Sequence, residues 1–368
     1  MRWRSLSVGA LVMAVFGVGL WVALRTPAQV ASPVLPTAEP RALTPEAGAQ
    51  FVGGAACGEC HAREVTSLRT TSHAQAVRPA KDALFVEMFA EEATLVDPFH
   101  GASFTPQLRD GAPGFLVRSG GGKEEFALAV WALGGSNRGY TFLCLDPEGY
   151  LTEGRLSYYP GGKGWGFTPG QPNADPTPYA IGRRGVEDLC LPCHSASVVW
   201  KEGRLDTAAS HLGIGCESCH GPARRHLDLM RQDRNGPLGI ARITTAGALG
   251  QAEVCGRCHR APNTKTTDLA GLVSLPRFQG RALSKSACFK RSGGRLTCST
   301  CHDPHADAVR LMADYDVKCL KCHAGRDPAV PSWQPCKLKK KRNCVGCHMP
   351  AQDVGMPSQQ LFHLHWIK

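Results

Sequence analysis

Short helices and loops wrapped around bound groups, interrupted by one small antiparallel β module, are the architecture that this sequence indicates. The chain has 368 residues and 17 cysteines, and most of these cysteines fall in seven copies of the pattern Cys-x-x-Cys-His. Residues 95–167 lack the pattern and alternate β-prone runs with turn residues instead. The copies are unevenly spaced, which excludes a repeat architecture with a fixed period.

Paired cysteines followed at once by histidine occur from residue 57 almost to the C-terminus. In chain order, motifs 1 to 7 are Cys57-Gly-Glu-Cys60-His61, Cys190-Leu-Pro-Cys193-His194, Cys216-Glu-Ser-Cys219-His220, Cys255-Gly-Arg-Cys258-His259, Cys298-Ser-Thr-Cys301-His302, Cys319-Leu-Lys-Cys322-His323 and Cys344-Val-Gly-Cys347-His348. Positions i and i+3 of a helical turn share a face, so both thiols can bond to one porphyrin while the next residue binds its iron. We therefore predict seven c-type haems, with the motif histidines as proximal ligands.

Zinc knuckles and disulfides also use closely spaced cysteines. A zinc site does not require histidine directly after the second cysteine in every copy, so the haem interpretation is favoured. Three cysteines remain outside the motifs, namely Cys144, Cys288 and Cys336. Cys144 lies in an apolar run and is expected to be buried, whereas Cys288 and Cys336 are either free or joined by a disulfide in an oxidising compartment.

Seven histidines lie outside the motifs and can supply a second axial ligand. They are His73, His100, His211, His226, His305, His363 and His365. A second histidine saturates the iron, which favours electron transfer, whereas an open position favours catalysis. His305 lies too close to His302 to cap its own haem, so it should reach a neighbouring one. The predicted distal ligands are His73, His211, His226, His305 and His365.

The N-terminal 25 residues carry the features of an export signal. Arg2 and Arg4 precede an apolar run at 5–24 that is long enough to cross a bilayer, and no clear cleavage site follows. Residues 1–25 are predicted to be a signal peptide or an N-terminal membrane anchor. The rest of the chain is expected in the periplasm, either secreted or held at the inner membrane. Residues 26–54, rich in proline and alanine, are predicted to be a flexible spacer.

The remaining chain divides into three predicted segments, at 55–94, 95–178 and 179–368. The first carries motif 1 and the last carries motifs 2 to 7, which makes it a six-haem domain. The middle segment is the predicted β module. Its β-prone runs are residues 114–118, 126–133, 140–145 and 156–159, separated by turns that contain glycine.

The formal net charge of +11 raises the question of a nucleic-acid partner. The basic residues are scattered apart from the run 337–342, and no aromatic stacking motif accompanies them, so nucleic acid is not the predicted partner. Each c-type haem brings two propionates, and the excess arginine and lysine can pair with these carboxylates. The charge is thus accounted for by the cofactors.

The motifs and their surroundings together resemble the multihaem cytochrome c superfamily. The residues that carry the resemblance are Ala55-Ala-Cys-Gly-Glu-Cys-His61 with Ser72-His73, Gly215-Cys-Glu-Ser-Cys-His-Gly-Pro222 with His211 and His226, Cys298-Ser-Thr-Cys-His-Asp-Pro-His305, and Cys344-Val-Gly-Cys-His-Met-Pro350. The superfamily includes tetrahaem cytochromes of ammonia oxidisers, pentahaem nitrite reductase, hydroxylamine oxidoreductase and octahaem tetrathionate reductase. The resemblance covers residues 51–368 and implies that the predicted distal histidines bind haems of neighbouring motifs. Nitrite reductases of this kind attach the catalytic haem through Cys-x-x-Cys-Lys, a pattern that this sequence lacks.

Three functions are compatible with these patterns. The favoured one is electron transfer between redox partner proteins, such as a membrane quinol oxidase or other cytochromes of a respiratory chain. The second is an oxidoreductase that acts on nitrite, hydroxylamine or tetrathionate at one five-coordinate haem. The third is a structural or sensory protein in which haems serve as folding cores or gas-binding sites. Spin states of the irons discriminate the first two, and redox titration tests the third.

Overall fold

The computed structural model describes residues 50–97, 101–135, 139–169, 179–181, 185–259, 277–308, 313–323, 343–353 and 361–368. The predicted signal or anchor at 1–25 and nearly all of the predicted spacer lie outside these ranges. Within the described ranges, every helix is too short or too polar to cross a bilayer.

Each Cys-x-x-Cys-His motif lies in, or at the end of, a short helix. The helices are Gly54–Cys57, Ala62–Arg69, Ala83–Phe89, Leu191–His194, Cys216–His220, Arg224–Gln232, Gly247–His259, Gln279–Lys285, Ala287–Arg291, Cys298–Cys301, Ala313–His323 and Cys344–His348. A π turn at Val186–Cys190 leads into motif 2, and a 3₁₀ turn at Ile243–Thr245 precedes motif 4. Helices this short gain most of their stability from what they pack against, not from propensity.

An antiparallel sheet of nine strands occupies the region between motifs 1 and 2. Its strands are β1 Val77–Pro79, β2 Leu95–Val96, β3 Ser103–Arg109, β4 Ala112–Arg118, β5 Glu124–Leu133, β6 Tyr140–Leu145, β7 Leu151–Tyr159, β8 Gly164–Phe167 and β9 Tyr179–Ile181. Strands β2 to β8 follow each other in order, with β1 beside β5 and β9 beside β7. The four β-prone runs of the sequence lie within β4, β5, β6 and β7.

Local turn chemistry explains how consecutive strands meet. Asp110 and Gly111 link β3 to β4, and both have positive φ, of 51° and 77°. That geometry matches the twist of the flanking strands and suits Asp-Gly. Strand β1 is different, because it pairs Val77 with Leu133 over a long stretch of chain, and it lies in the segment 55–94 predicted to carry motif 1.

Aromatic side chains fill the core under this sheet. Phe85 and Phe89 of the helix Ala83–Phe89 pack on Phe142 of β6, with ring centroids 5.8 Å and 4.8 Å away. Phe115 and Trp165 complete the cluster at 5.1 Å and 4.9 Å from Phe89. Burying each such ring contributes roughly 1.5–3 kcal/mol from area alone, so this core is independent of any bound group.

One ion pair is buried in the same sheet. The Arg155 guanidinium on β7 donates to the Asp97 carboxylate at 2.7 Å, and the two side chains are 1% and 2% exposed. A buried pair is costly to break because it leaves one charge without compensation. The pair therefore fixes the chain after β2 against strand β7.

Three two-stranded ribbons lie outside the large sheet. They are β10 Ser195–Ser197 with β13 His211–Leu212, β11 Trp200–Lys201 with β12 Arg204–Leu205, and β14 Ala351–Asp353 with β15 Leu361–His363. A second apolar cluster joins Leu133 and Leu143 of the sheet to Val186 and Leu191 beside motif 2. The sheet is thereby attached directly to the haem-motif region.

Candidate haem sites

Four motif histidines face a second histidine from a distant part of the chain. Ring centroids are 6.4 Å apart for His61 and His226, 6.1 Å for His259 and His73, 6.3 Å for His220 and His305, and 6.2 Å for His302 and His365. Motifs 1, 3, 4 and 5 are the ones involved. In each pair one ring is a predicted proximal ligand and the other a predicted distal ligand.

The spacing of these rings fits an iron between them. A bond of about 2.0 Å from a first-row metal to an imidazole nitrogen, plus about 1.1 Å from that nitrogen to the ring centre, places two opposed axial rings about 6.2 Å apart. Direct stacking of two rings without a metal would allow a closer approach. The donor set and its spacing thus suit a bis-histidine haem, and the motif thiols lie beside each proximal ring.

Hydrogen bonds at Nδ1 leave Nε2 available for a metal. Nδ1 of His220 lies 2.9 Å from the Ala241 carbonyl, and that of His226 lies 2.6 Å from the Leu238 carbonyl. Nδ1 of His365 contacts the carbonyl of His363 at 2.9 Å. A carbonyl accepts only from a protonated nitrogen, so these contacts fix the tautomer and orient the ring, as in other metal-binding histidines.

Burial keeps several of these imidazoles neutral. It lowers the pKa of His365 to about 4 and also lowers the pKa of His259 and His302. A histidine must be neutral to bind a metal, so no proton has to be removed at physiological pH before ligation.

The loop that carries His73 is held by glycines of two other segments. A Cβ on Gly135, after β5, would lie 2.4 Å from the Ser72 carbonyl oxygen, and one on Gly213 would lie 2.8 Å from that of Ala74. Ile214 donates to the His73 carbonyl at 3.2 Å. The large sheet therefore helps to aim His73 at motif 4, because only glycine allows so close an approach.

Motif 2 differs from the four paired motifs. Nδ1 of His194 contacts the Ala76 carbonyl at 2.9 Å, which leaves Nε2 as the metal-binding atom. Nε2 lies 2.7 Å from Nη2 of Arg277, and no imidazole from the described part of the chain faces it at the iron spacing. Burial and the Arg277 charge together lower the pKa of His194 to about 4.

The remaining histidines show other arrangements. Among the described residues, His323 of motif 6 and His348 of motif 7 have no imidazole facing them at the iron spacing, and the His348 Nδ1 contacts the carbonyl of Lys368. His363 contacts the Met349 carbonyl through Nδ1 at 2.7 Å. His211, predicted as a distal ligand, has Phe51 as its ring neighbour at 6.3 Å. His100 lies outside the described residues.

Cysteines of different motifs contact each other. Hydrogen bonds link Cys57 with Cys216, Cys193 with Cys258, Cys255 with Cys298 and Cys319 with Cys344. In addition, Cys255 raises the pKa of the Cys219 thiol and Cys301 raises that of the Cys319 thiol, so these thiols are neighbours without a hydrogen bond between them in the described set. By motif number the neighbours are 1 and 3, 3 and 4, 4 and 5, 5 and 6, and 6 and 7, with motif 2 joined to motif 4. All the motifs therefore form one connected series.

Burial holds some of the motif thiols in their neutral form. Burial raises the pKa of Cys190 to about 12, and burial together with Cys216 raises the pKa of Cys57 to about 12. Zinc binding uses thiolates, whereas a thioether to a porphyrin is neutral. In the described part of the chain, no three His, Cys, Asp or Glu side chains are grouped around one possible metal position. Cys144 is fully buried in β6, and burial raises the pKa of its thiol.

Four residues around the motifs were not singled out by the sequence patterns. They are Arg277 at motif 2 and the buried acceptors Glu217, Gln251 and Asp316, which contact the backbone of neighbouring motifs. Glu217 could have been noticed, since it is an acidic residue inside motif 3 in a chain with few buried charges. The other three are far in sequence from what they contact, so no local signal marks them.

Opposed histidines beside paired cysteines define the class of a haem-binding c-type cytochrome. Residues 179–221 match the family model described as cytochrome c554 and c-prime. The multiheme cytochrome MtrA of Shewanella baltica is 26% identical over 182 residues, which are 37% of this chain and 52% of MtrA. The C-type polyheme cytochrome OmcB of Geobacter sulfurreducens is 22% identical over 194 residues, 44% of this chain and 25% of OmcB. Part of the chain is thus similar to multihaem c-type cytochromes.

Two solved multihaem proteins were also matched. The undecaheme cytochrome from the S-layer of Carboxydothermus ferrireducens has a TM-score of 0.45 at 15% identity, covering 86% of this chain and 53% of its own. The outer cell wall cytochrome OcwA has the same TM-score and identity, covering 86% of this chain and 79% of its own. The aligned part of this chain spans about half the length of MtrA and a quarter of that of OmcB.

Proposed function

We propose that this chain is a seven-haem electron-transfer protein that works outside the cytoplasm. The observation that carries the proposal is the set of four histidine pairs at the spacing of two axial ligands of one iron. Haem iron, when bound, supplies reversible one-electron chemistry. Histidines on both sides of the iron exclude a substrate and keep the coordination unchanged between oxidation states.

The order of the motifs supports conduction along the chain. The cysteine contacts place motifs 1, 3, 4, 5, 6 and 7 in one series, with motif 2 beside motif 4. Motifs 1 and 7 are therefore the two ends at which electrons would enter and leave.

The partners and the location follow from the same proposal. Redox proteins, such as a membrane quinol oxidase or another cytochrome, would dock at the two ends of the series. Covalent haem attachment and the N-terminal apolar segment support a periplasmic protein, either secreted or attached to the inner membrane. Lysine and arginine in excess over acidic residues suit pairing with haem propionates.

A haem census tests this proposal. The chain is matured in a host that attaches c-type haems, and the intact protein is weighed. We expect the mass of the polypeptide plus seven haems, and low-spin ferric signals from at least the four paired motifs. A purified chain no heavier than its amino acids would overturn the proposal, and one with fewer haems would remove the unattached motifs from the series.

A second candidate function rests on the contact between His194 and Arg277. At motif 2 a cation, not an imidazole, lies by the metal-binding nitrogen, and a guanidinium attracts small oxyanions. The chain could then act as an oxidoreductase on nitrite, hydroxylamine or tetrathionate. A high-spin ferric signal that shifts on adding nitrite, and shifts less in Arg277→Ala, would support this function. Without the signal and the shift, the candidate is rejected.

A further inference from the structure

Three of the contacts between motifs contain a buried hydrogen-bond acceptor in addition to the neighbouring cysteines. In each, a buried side chain from the helix of one motif accepts hydrogen bonds from residues at the start of the partner motif. The side chains are Glu217, Gln251 and Asp316, each 4% exposed. They join motif 3 to motif 1, motif 4 to motif 5, and motif 6 to motif 7.

Glu217 lies between the two cysteines of motif 3. Its carboxylate accepts from the backbone N–H groups of Val52 at 3.0 Å and Gly53 at 2.9 Å, just before motif 1. It also accepts from Ala223 at 2.8 Å. Among the described residues, its hydrogen-bond donors are all backbone N–H groups, so its negative charge is held by dipoles and not cancelled by a cation.

Asp316 likewise accepts hydrogen bonds from backbone N–H groups, between motifs 6 and 7. It lies three residues before Cys319 of motif 6, and its carboxylate accepts from the backbone N–H groups of Asn343 at 2.6 Å and Cys344 at 2.8 Å. Asn343 immediately precedes motif 7, and Cys344 is its first residue. A carboxylate held by backbone N–H groups favours its ionised form.

The middle of the series uses a neutral acceptor. The Gln251 carboxamide oxygen accepts from the Ser299 backbone N–H at 3.2 Å and from its hydroxyl at 3.0 Å. These hydrogen bonds to Gln251 thus join motif 4 to motif 5 with similar geometry but without a charged acceptor. Arg257 of motif 4 donates to the Ser218 carbonyl of motif 3 at 2.7 Å, which adds a cation near the centre.

We propose that Glu217, Gln251 and Asp316 are positioning residues that also set the reduction potentials of the haems along the series. Where the acceptor is a carboxylate, at motifs 1 and 3 and at motifs 6 and 7, the haems have lower potentials than they would have with a neutral acceptor. The inference rests on the proposed electron-transfer function. A ferric haem carries one more positive charge than a ferrous one, so a buried carboxylate beside it stabilises the ferric form and lowers the potential. The effect is large in a low dielectric, where charges interact more strongly than in water.

One iron can be marked so that its potential is measured alone. The substitution His305→Ala removes the ring opposite His220, which should convert the motif 3 haem to a high-spin form with its own ferric resonance. The loss of that resonance during a reductive titration gives the motif 3 potential. We expect Glu217→Gln, added to this background, to raise the potential. Asp316→Asn at the far end of the series is the matched control and should leave it unchanged.

The outcomes separate this inference from the proposed function. If the protein carries its haems but the marked potential is the same with Glu217 and with Gln, or moves equally with Asp316→Asn, the inference is wrong. If no haem is attached, the proposed function itself fails. Should Glu217→Gln not fold, Gln251→Glu keeps the inference testable, because it adds a negative charge at the contact between motifs 4 and 5. Titration of all haems should then show lowered potentials for two of them, and unchanged potentials would refute the inference.

Discussion

The pair formed by His220 and His305 predicts how many carbon monoxide molecules a variant of the reduced protein binds per chain. Their rings are parallel to within 2° at a centroid separation of 6.3 Å. In the proposed protein, His305→Ala leaves the motif 3 iron with one protein ligand besides the porphyrin. An iron with an open position becomes high-spin and binds carbon monoxide when reduced, whereas a bis-histidine iron does neither readily.

The backbone around His305 should survive the change. Ser67 donates from its hydroxyl to the His305 carbonyl at 2.7 Å, and the His305 N–H donates to the Asp303 carboxylate at 2.9 Å. The Asp307 carboxylate accepts from the Ser72 N–H at 2.8 Å. None of these bonds uses the imidazole, so the loop keeps these anchors and loses only the ring and its 3.7 Å contact from Nδ1 to the Asp303 carboxylate.

The assay is a carbon monoxide titration of the dithionite-reduced holoprotein, followed in the Soret band. We expect the variant to bind one carbon monoxide more per chain than the unmodified protein, with a matching gain in the high-spin ferric signal. His363→Ala is the matched control, since His363 is not one of the predicted distal ligands and its Nδ1 contacts the Met349 carbonyl at 2.7 Å; it should leave both readouts unchanged. An unaltered stoichiometry in His305→Ala would show that the two rings are not ligands of one iron.

Three further predictions concern the large sheet. Phe142→Ala should destabilise the protein by about 3–5 kcal/mol because it removes a fully buried ring, as measured by guanidinium unfolding; a loss below 1 kcal/mol would mean that the core is loose. Asp97→Ala should cost about 3–5 kcal/mol because it removes the carboxylate that pairs with the buried Arg155 guanidinium, and Asp97→Ala with Arg155→Met should recover much of it. Burial raises the pKa of Tyr159 to about 12 from 10.0, so the folded state favours the neutral phenol. Its contribution is complete below pH 10 and lost as pH rises towards 12; Tyr159→Phe should flatten that decline, and an identical decline would contradict the assignment.

Local patterns were sufficient to predict the strands of the sheet, and they are also the basis of the proximal-ligand assignments, which stay predictions. The Cys-x-x-Cys-His spacing is itself a helical turn, so each motif predicts its own geometry. Alternating apolar residues and the Asp-Gly turn at 110–111 likewise indicated strands β4 to β7. These features depend on neighbours within a few residues, which is the range in which sequence alone is informative.

The pairing of distant segments could not be predicted in the same way. Counting identified the spare histidines, but which proximal ring each one faces depends on packing, for example on the glycines that hold the His73 loop against the sheet. Strand β1 shows the same limit, because three residues with no alternation join the sheet through a partner far along the chain. Arg277 beside His194 had no sequence signal, since the contact joins remote loops. Tertiary packing decides all three cases.

Coordination by remote histidines bears on how this chain folds. His73 faces His259, and His61 faces His226, so each iron would close a long loop that is otherwise costly in entropy. The short motif helices have little core of their own, whereas the large sheet has an aromatic cluster that needs no haem. Short helices wrapped around haems would by themselves predict that the whole apoprotein fails to fold. With the sheet in view, we expect the haem-free chain to lose its helical signal in far-ultraviolet circular dichroism while strand signal and protease resistance persist between residues 77 and 169. Helices retained without haem, or a sheet lost together with them, would contradict this division.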